Sequence, residues 1–132
     1  MIEALDLIEV VTLFVEDLDG ARSFYARIFG RPFVYEDEAC AVMALGNLQI
    51  NILRREQAPT LVAPNAVAAA GAGSRVLFTI RVDDVDAVCR ELHSHGASVL
   101  NGPIDRPWGR RTAAFADPAG NVWEIAQALP KR

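Results

Sequence analysis

Cysteine is scarce in this chain: two residues, Cys40 and Cys89, in 132. Two are too few for a disulfide framework or a structural zinc site, and they form no CxxC pair. They read as small apolar residues in a reducing cytoplasm. Basic residues are also in the minority, 13 Lys and Arg against 17 Asp and Glu, for a net charge of −4. That balance argues against nucleic acid as a partner, because phosphate binding wants a basic face. Long apolar runs are missing, so no segment is expected to span a bilayer and no membrane partner is expected. Positive charge is missing from Met1-Ile2-Glu3-Ala4-Leu5-Asp6, where a secretory leader would need it.

What is present is a folded, soluble composition. Hydrophobic residues make up 52% and charged residues 23% of the chain. That is too apolar for disorder, and the length suits a single domain able to bury about two thirds of its unfolded surface. The chain also repeats itself. Phe14-Val15-Glu16-Asp17-Leu18-Asp19-Gly20-Ala21 matches Arg81-Val82-Asp83-Asp84-Val85-Asp86-Ala87-Val88 at an offset of 81 − 14 = 67 residues. Both ends of the match are the same: an apolar strand, an acidic turn, the start of a helix. An offset of half the chain points to two copies of one module.

Each copy reads as βαβββ. In the first (7–55), Leu7–Val15 is a strand, Asp17 or Asp19 caps a helix, and Leu18, Ala21, Tyr25 and Ile28 form its apolar stripe. Gly30 and Pro32 stop it. Strands are expected over Phe33–Glu36, Cys40–Leu45 and Leu48–Arg54, the last two joined at Gly46-Asn47. In the second (75–128), Val76–Val82 is the strand and Asp83 or Asp84 caps the helix. Val85, Val88, Cys89 and Leu92 form the stripe, and Gly96 ends it. Strands follow at Ser98–Leu100, Arg111–Ala116 and Asn121–Ala126, the last two joined by Asp117-Pro118-Ala119-Gly120. Between the copies, 56–74 is rich in Ala, Pro and Gly. It reads as a linker or loop, with a short helix around Ala66–Ala70 or a lid as alternatives.

These motifs resemble the vicinal oxygen chelate superfamily, which includes glyoxalase I, extradiol dioxygenases and fosfomycin- and bleomycin-resistance proteins. The likeness rests on Val15-Glu16-Asp17-Leu18 with Ser23-Phe24-Tyr25, on Val82-Asp83-Asp84-Val85, and above all on Phe115-Ala116-Asp117-Pro118-Ala119-Gly120-Asn121-Val122-Trp123-Glu124. It covers residues 7 to about 128. It implies an α+β fold of two βαβββ modules forming a curved mixed sheet around a cavity, helices outside. It also implies a homodimer whose cavity draws on both protomers.

In enzymes of that superfamily each module gives a divalent metal one ligand from its first strand and one from its last. Carried onto this chain, those positions are Val10, Asn51, Leu77 and Glu124. Aliphatic side chains donate nothing, and one carboxylate with one amide is too few for zinc, nickel or manganese. Glu9 sits one residue off register and so on the other face. His93 and His95 lie at a helix end, where a cation suits the dipole. No metal and no cofactor are therefore expected.

Strand alternation then selects the cavity wall. With Val10 and Leu77 inward, so are Thr12, Phe14, Thr79 and Arg81, with Gln49, Asn51 and Leu53, and Val122, Glu124 and Ala126. Thr112 and Ala114 fall on the Glu124 side, and Met43 joins if its strand has the same parity. Phe33 and Tyr35 border the cavity. Glu124 has three readings: an ion pair with Arg81 or Arg111, a ligand contact, or a general base. Trp108, on the loop Arg106-Pro107-Trp108-Gly109-Arg110, offers a flat face for stacking on a planar ligand, or else caps a sheet edge. In bleomycin-binding relatives a Trp-Gly in the matching loop lies at the groove. Trp123 alternates into the core. The expectation is a cytoplasmic, metal-free protein that sequesters a small organic ligand, such as an antibiotic or another aromatic natural product. The competing reading is a lyase, isomerase or dioxygenase with an atypical metal site.

Overall fold

The computed structural model describes residues 1–131. The chain divides after Ala68 into two compact units, each built around one βαβββ module. Module 1 runs β1 (Val10–Val15), α1 (Leu18–Ile28), β2 (Phe33–Glu36), β3 (Cys40–Ala44) and β4 (Gln49–Arg54). A helical turn at Arg55–Gln57 and a short α2 (Pro59–Val62) follow. Module 2 runs β5 (Phe78–Arg81), α3 (Val85–Ser94), β6 (Val99–Arg106), β7 (Arg110–Ala116) and β8 (Val122–Ala128).

Each module has its own mixed sheet of four strands, in the order β1-β4-β3-β2 and β5-β8-β7-β6. The first strand pairs parallel to the last, and the other pairings are antiparallel. That is the βαβββ pattern: the helix carries the chain across, so strands one and four run the same way.

The helices form where caps and stripes coincide. Of the two acids at each start, Asp17 caps α1 by accepting from Gly20 N at 3.1 Å. Asp84 caps α3 by accepting from Ala87 N at 3.0 Å. Gly30 and Gly96, at φ 65° and 83°, take the left-handed conformation just past each helix. On α1, Leu18, Ala21, Phe24 and Tyr25 are buried against Leu13, Val15, Ala41, Met43, Ile50 and Ile52 of the sheet. Tyr25 is fully buried and meets Phe24 edge to face, ring centroids 5.2 Å apart. On α3, Val85 and Leu92 are buried, over Ala113, Phe115, Trp123 and Ile125. Phe78 lies 5.1 Å from the Trp123 ring, so Trp123 is a core residue.

Arginine clips hold helix to edge strand in both modules. Arg22 of α1 lies 3.0 Å from Asp19 and donates to the Asp37 carbonyl at 3.2 Å. Its Nε is 2.9 Å from Glu36, off the hydrogen-bond line. In module 2 the clip starts from the sheet: Arg111 reaches Asp105 at 2.6 Å and Asp86 of α3 at 3.0 Å.

Several boundaries differ from the sequence reading. β1 begins at Val10 rather than Leu7, and β5 at Phe78 rather than Val76, because only those residues find partners on β4 and β8. β6 runs on to Arg106 instead of ending at Leu100. Its register against β7 shifts between Val99 and Asn101 and again between Asn101 and Ile104, a bulge past which pairing resumes at Ile104 and Thr112. Gly102 sits at φ 87°, and a Cβ there would overlap the Thr112 carbonyl and the Ala113 Cα. No helix forms at Ala66–Ala70; the helical turns fall earlier, at 55–57 and 59–62. The carbonyls of Val67 and Ala68 instead accept from the Arg55 guanidinium, both at 3.1 Å.

Candidate functional site

Each sheet has one face under its helix and an opposite face, the open face, on which Leu53 of module 1 and Thr112, Ala114 and Ala126 of module 2 are buried. The registers show which side chains share the open faces. In module 1, Thr12 is opposite Asn51 and Asn51 opposite Val42, while Phe14 is opposite Leu53 and Leu53 opposite Cys40. Thr12, Phe14 and Asn51 are half-buried. The Asn51 Nδ2 lies 3.5 Å from the Thr12 hydroxyl, a long hydrogen bond, and its Oδ1 is buried without a partner. Tyr35 is opposite Val42 and donates its hydroxyl to Asp37 at 2.6 Å. That bond, with the N–H groups of Ala39 and Cys40, holds the Asp37 carboxyl down at about 2.

Met43 does not belong to this face. It is opposite Ile50, fully buried beneath α1, and so is a core residue rather than a cavity residue. Its strand is one residue out of the expected parity, which moves every side chain to the other face.

In module 2 the open face is more polar. Thr79 is opposite Glu124, and its hydroxyl donates to Glu124 Oε1 at 2.9 Å. Glu124 is opposite Ala114, and Ala114 opposite Asn101. One row along, Arg81, Ala126, Thr112 and Ile104 line up across all four strands. Arg81 is exposed, and Leu77, just ahead of β5, is half exposed. Glu124 therefore has a neutral partner, the Thr79 hydroxyl. Arg111 cannot pair with it: Arg111 is opposite Gln127, on the other face, and is engaged by Asp86 and Asp105.

Sequence reasoning missed Arg106, Arg110 and Asn101 on this face. The Arg106 Nε donates to the Thr112 hydroxyl at 2.9 Å, and Nη2 donates to Asn101 Oδ1 at 3.3 Å. Thr112 itself is 1% exposed. The Arg106 guanidinium sits 6.0 Å from the centroid of Trp108, which is 68% exposed at the tip of the β6–β7 hairpin. Alternation from Thr112 through Arg110 leads to Arg106, but only once the hairpin register is known.

The geometry can be set beside known proteins. Residues 7–125 match the model of the Glyoxalase/Bleomycin resistance protein/Dioxygenase superfamily. The chain belongs to this superfamily. An uncharacterized protein of Bacillus subtilis (strain 168), YraH, is 32% identical over 123 residues, 90% of this chain and 96% of that one. A glyoxalase/bleomycin resistance protein/dioxygenase from Nocardioides has a TM-score of 0.85 at 20% identity, covering 96% of this chain and 86% of its own. A lactoylglutathione lyase from Agrobacterium tumefaciens has a TM-score of 0.72 at 24% identity, covering 91% and 92%. These two structures share the fold.

In this glyoxalase-superfamily chain the donor set does not fit a divalent metal. Of the positions expected to ligate, Val10 and Leu77 carry no donor atom. Asn51 offers one amide, and the Glu124 carboxylate is already bonded to Thr79. Among the described residues no three His, Cys, Asp or Glu side chains come together to hold an ion. His93 and His95 are exposed at the end of α3, where His95 Nδ1 contacts the Glu91 carbonyl at 2.8 Å. No helix of the described residues is long and apolar enough to cross a membrane.

Proposed function

We propose that this superfamily member binds a small organic molecule, an antibiotic or other aromatic natural product, and holds it without metal chemistry. The observation that carries the reading is the pairing on the open faces. Where a metal enzyme needs four donors, this chain has Val10 and Leu77, a Thr12–Asn51 pair and a Thr79–Glu124 pair. Each face suits recognition: apolar ground from Val10 and Phe14 in module 1 and from Leu77 in module 2, with a few aimed polar groups on each. An exposed Trp108 supplies a stacking surface, and Arg81 and Thr112 belong to the same face as Glu124.

The working state is a cytoplasmic homodimer. In support, Leu5, Leu7 and Ile8 are 80%, 91% and 68% exposed, more apolar side chain than a lone chain leaves in water at one terminus. Both cysteines are free thiols.

Thermal melting against a panel of aromatic natural products tests the reading. A ligand at 100 times its Kd should add about 2.7 kcal/mol of stability. Metal analysis of protein purified without chelator is the companion measurement. Near-stoichiometric, tightly held divalent metal that is lost in Glu124→Ala would replace this reading with the atypical lyase, isomerase or dioxygenase.

A further inference from the structure

We propose that the end of the module 2 open face around Trp108 is a receptor for a planar anion, best matched by an aromatic carboxylate. This rests on the small-molecule reading above and adds the sign of the ligand's charge.

Arg106 and Arg110 stand directly opposite each other on β6 and β7. Opposed like charges repel, so this pair has a cost unless something neutralises it. Among the described residues no carboxylate lies within ion-pair reach of either one. The contrast with the next residue is sharp. Arg111 turns to the helix side, where Asp105 and Asp86 both meet it. The acids of this hairpin region are spent on that face, and the open face keeps its positive charge.

The Arg106 guanidinium is also held still. Its two side-chain acceptors, Thr112 and Asn101, are neutral, so they orient the group without cancelling its charge. Its Nη1 remains available as a donor. A guanidinium fixed before binding loses less freedom on binding, and its planar fork matches a carboxylate with two parallel bonds. The exposed indole beside it takes the planar part of the ligand. Arg81, also exposed, adds charge of the same sign to the face, so three arginines there stand against one carboxylate, Glu124, which its neutral partner Thr79 leaves charged. The net charge of −4 for the whole chain does not oppose this, because a bound ligand feels the local potential.

The test uses the full chain and three probes with one ring system: 1-naphthoate, 1-naphthalenemethanol and 1-naphthylmethylammonium. Binding is followed by calorimetry. Naphthoate should bind about tenfold tighter than either of the others, with the advantage shrinking as salt is raised. Arg110→Gln should bring naphthoate close to the alcohol. Among the described residues that variant breaks no side-chain hydrogen bond, so it stays informative if Arg106→Lys fails to fold. Arg106→Lys should lose several-fold for naphthoate alone, and Trp108→Ala should weaken all three probes.

An alcohol that binds as well as naphthoate, or an Arg110→Gln variant with unchanged preference, overturns the proposal. If the ammonium or the alcohol binds while naphthoate fails, the anion class falls and the small-molecule reading stands. If no probe binds and no natural product raises the melting temperature, both fall.

Discussion

Module 1 and module 2 share a plan but present different chemistry on their open faces. Position by position, at the 67-residue offset, Thr12 corresponds to Thr79 and Val10 to Leu77, but Phe14 corresponds to Arg81. At the last strand Asn51 stands where Glu124 stands, an offset of 124 − 51 = 73. Most of the difference lies in the longer β6–β7 hairpin: β6 has eight residues against four in β2, and β7 seven against five in β3. That extension carries the bulge, the hairpin tip and the uncompensated arginines. A repeated fold has thus been differentiated by one lengthened hairpin and a few face residues.

The largest expected effect tests whether the cores are alike. Tyr25→Ala in module 1 and Trp123→Ala in module 2 should each cost about 3–5 kcal/mol by thermal or urea unfolding. A loss under about 1 kcal/mol at either would show one core to be loosely packed. Next comes the bulge. Gly102→Ala forces a Cβ into the β7 backbone at a left-handed φ and should cost about 3 kcal/mol. Gly46→Ala, in the module 1 hairpin where a Cβ meets nothing, should stay within about 0.5 kcal/mol.

The hairpin turns differ as well. The buried Asp117 carboxylate accepts from Ala119 N, Asn121 N and Asn121 Nδ2, each at 2.9 Å. Asp117→Ala should therefore cost about 2 kcal/mol, and Asn47→Ala in the other turn much less, both read from melting curves. The helix caps should be equal: Asp17→Ala and Asp84→Ala at about 1 kcal/mol each.

The smallest effect is a pH dependence confined to module 1. The folded state holds Asp37 at about 2, below its value in an unfolded chain. Its contribution is complete above the unfolded value of about 4 and is lost as pH falls through about 2. Asp37→Asn should therefore melt with a shallower decline between those pH values than the parent. An identical decline in both would detach Asp37 from the acid sensitivity.

Much of this was legible because it is local. The repeat, the acidic caps, the helix stripes and the Asp-Pro-Ala-Gly turn each depend on residues within a few places of one another. Grouping Thr12 with Asn51 and Thr79 with Glu124 took the family resemblance as well, which set the parity at Val10 and Leu77 from which strand alternation was counted. Met43 went astray because Cys40-Ala41-Val42-Met43-Ala44 is apolar throughout and has no alternation to read. Arg106 and Asn101 were hidden by the bulge at Gly102, which breaks the alternating count along β6. Of the partners considered for Glu124, Arg111 is ruled out for a similar reason: which face it occupies depends on its β8 partner, Gln127.

The sequence by itself determined the modular βαβββ plan from residue type and spacing, and its motifs carried the resemblance to the family, which implied that Val10 and Leu77 stand at positions where enzymes of the family keep metal ligands. Tertiary structure decided which charges are cancelled. Asp105 and Asp86 meet Arg111 on one face while Arg106 and Arg110 face each other on the opposite one. A cross-strand register brings residues far apart in sequence within a few ångströms, and a shift of one residue reverses the face they share.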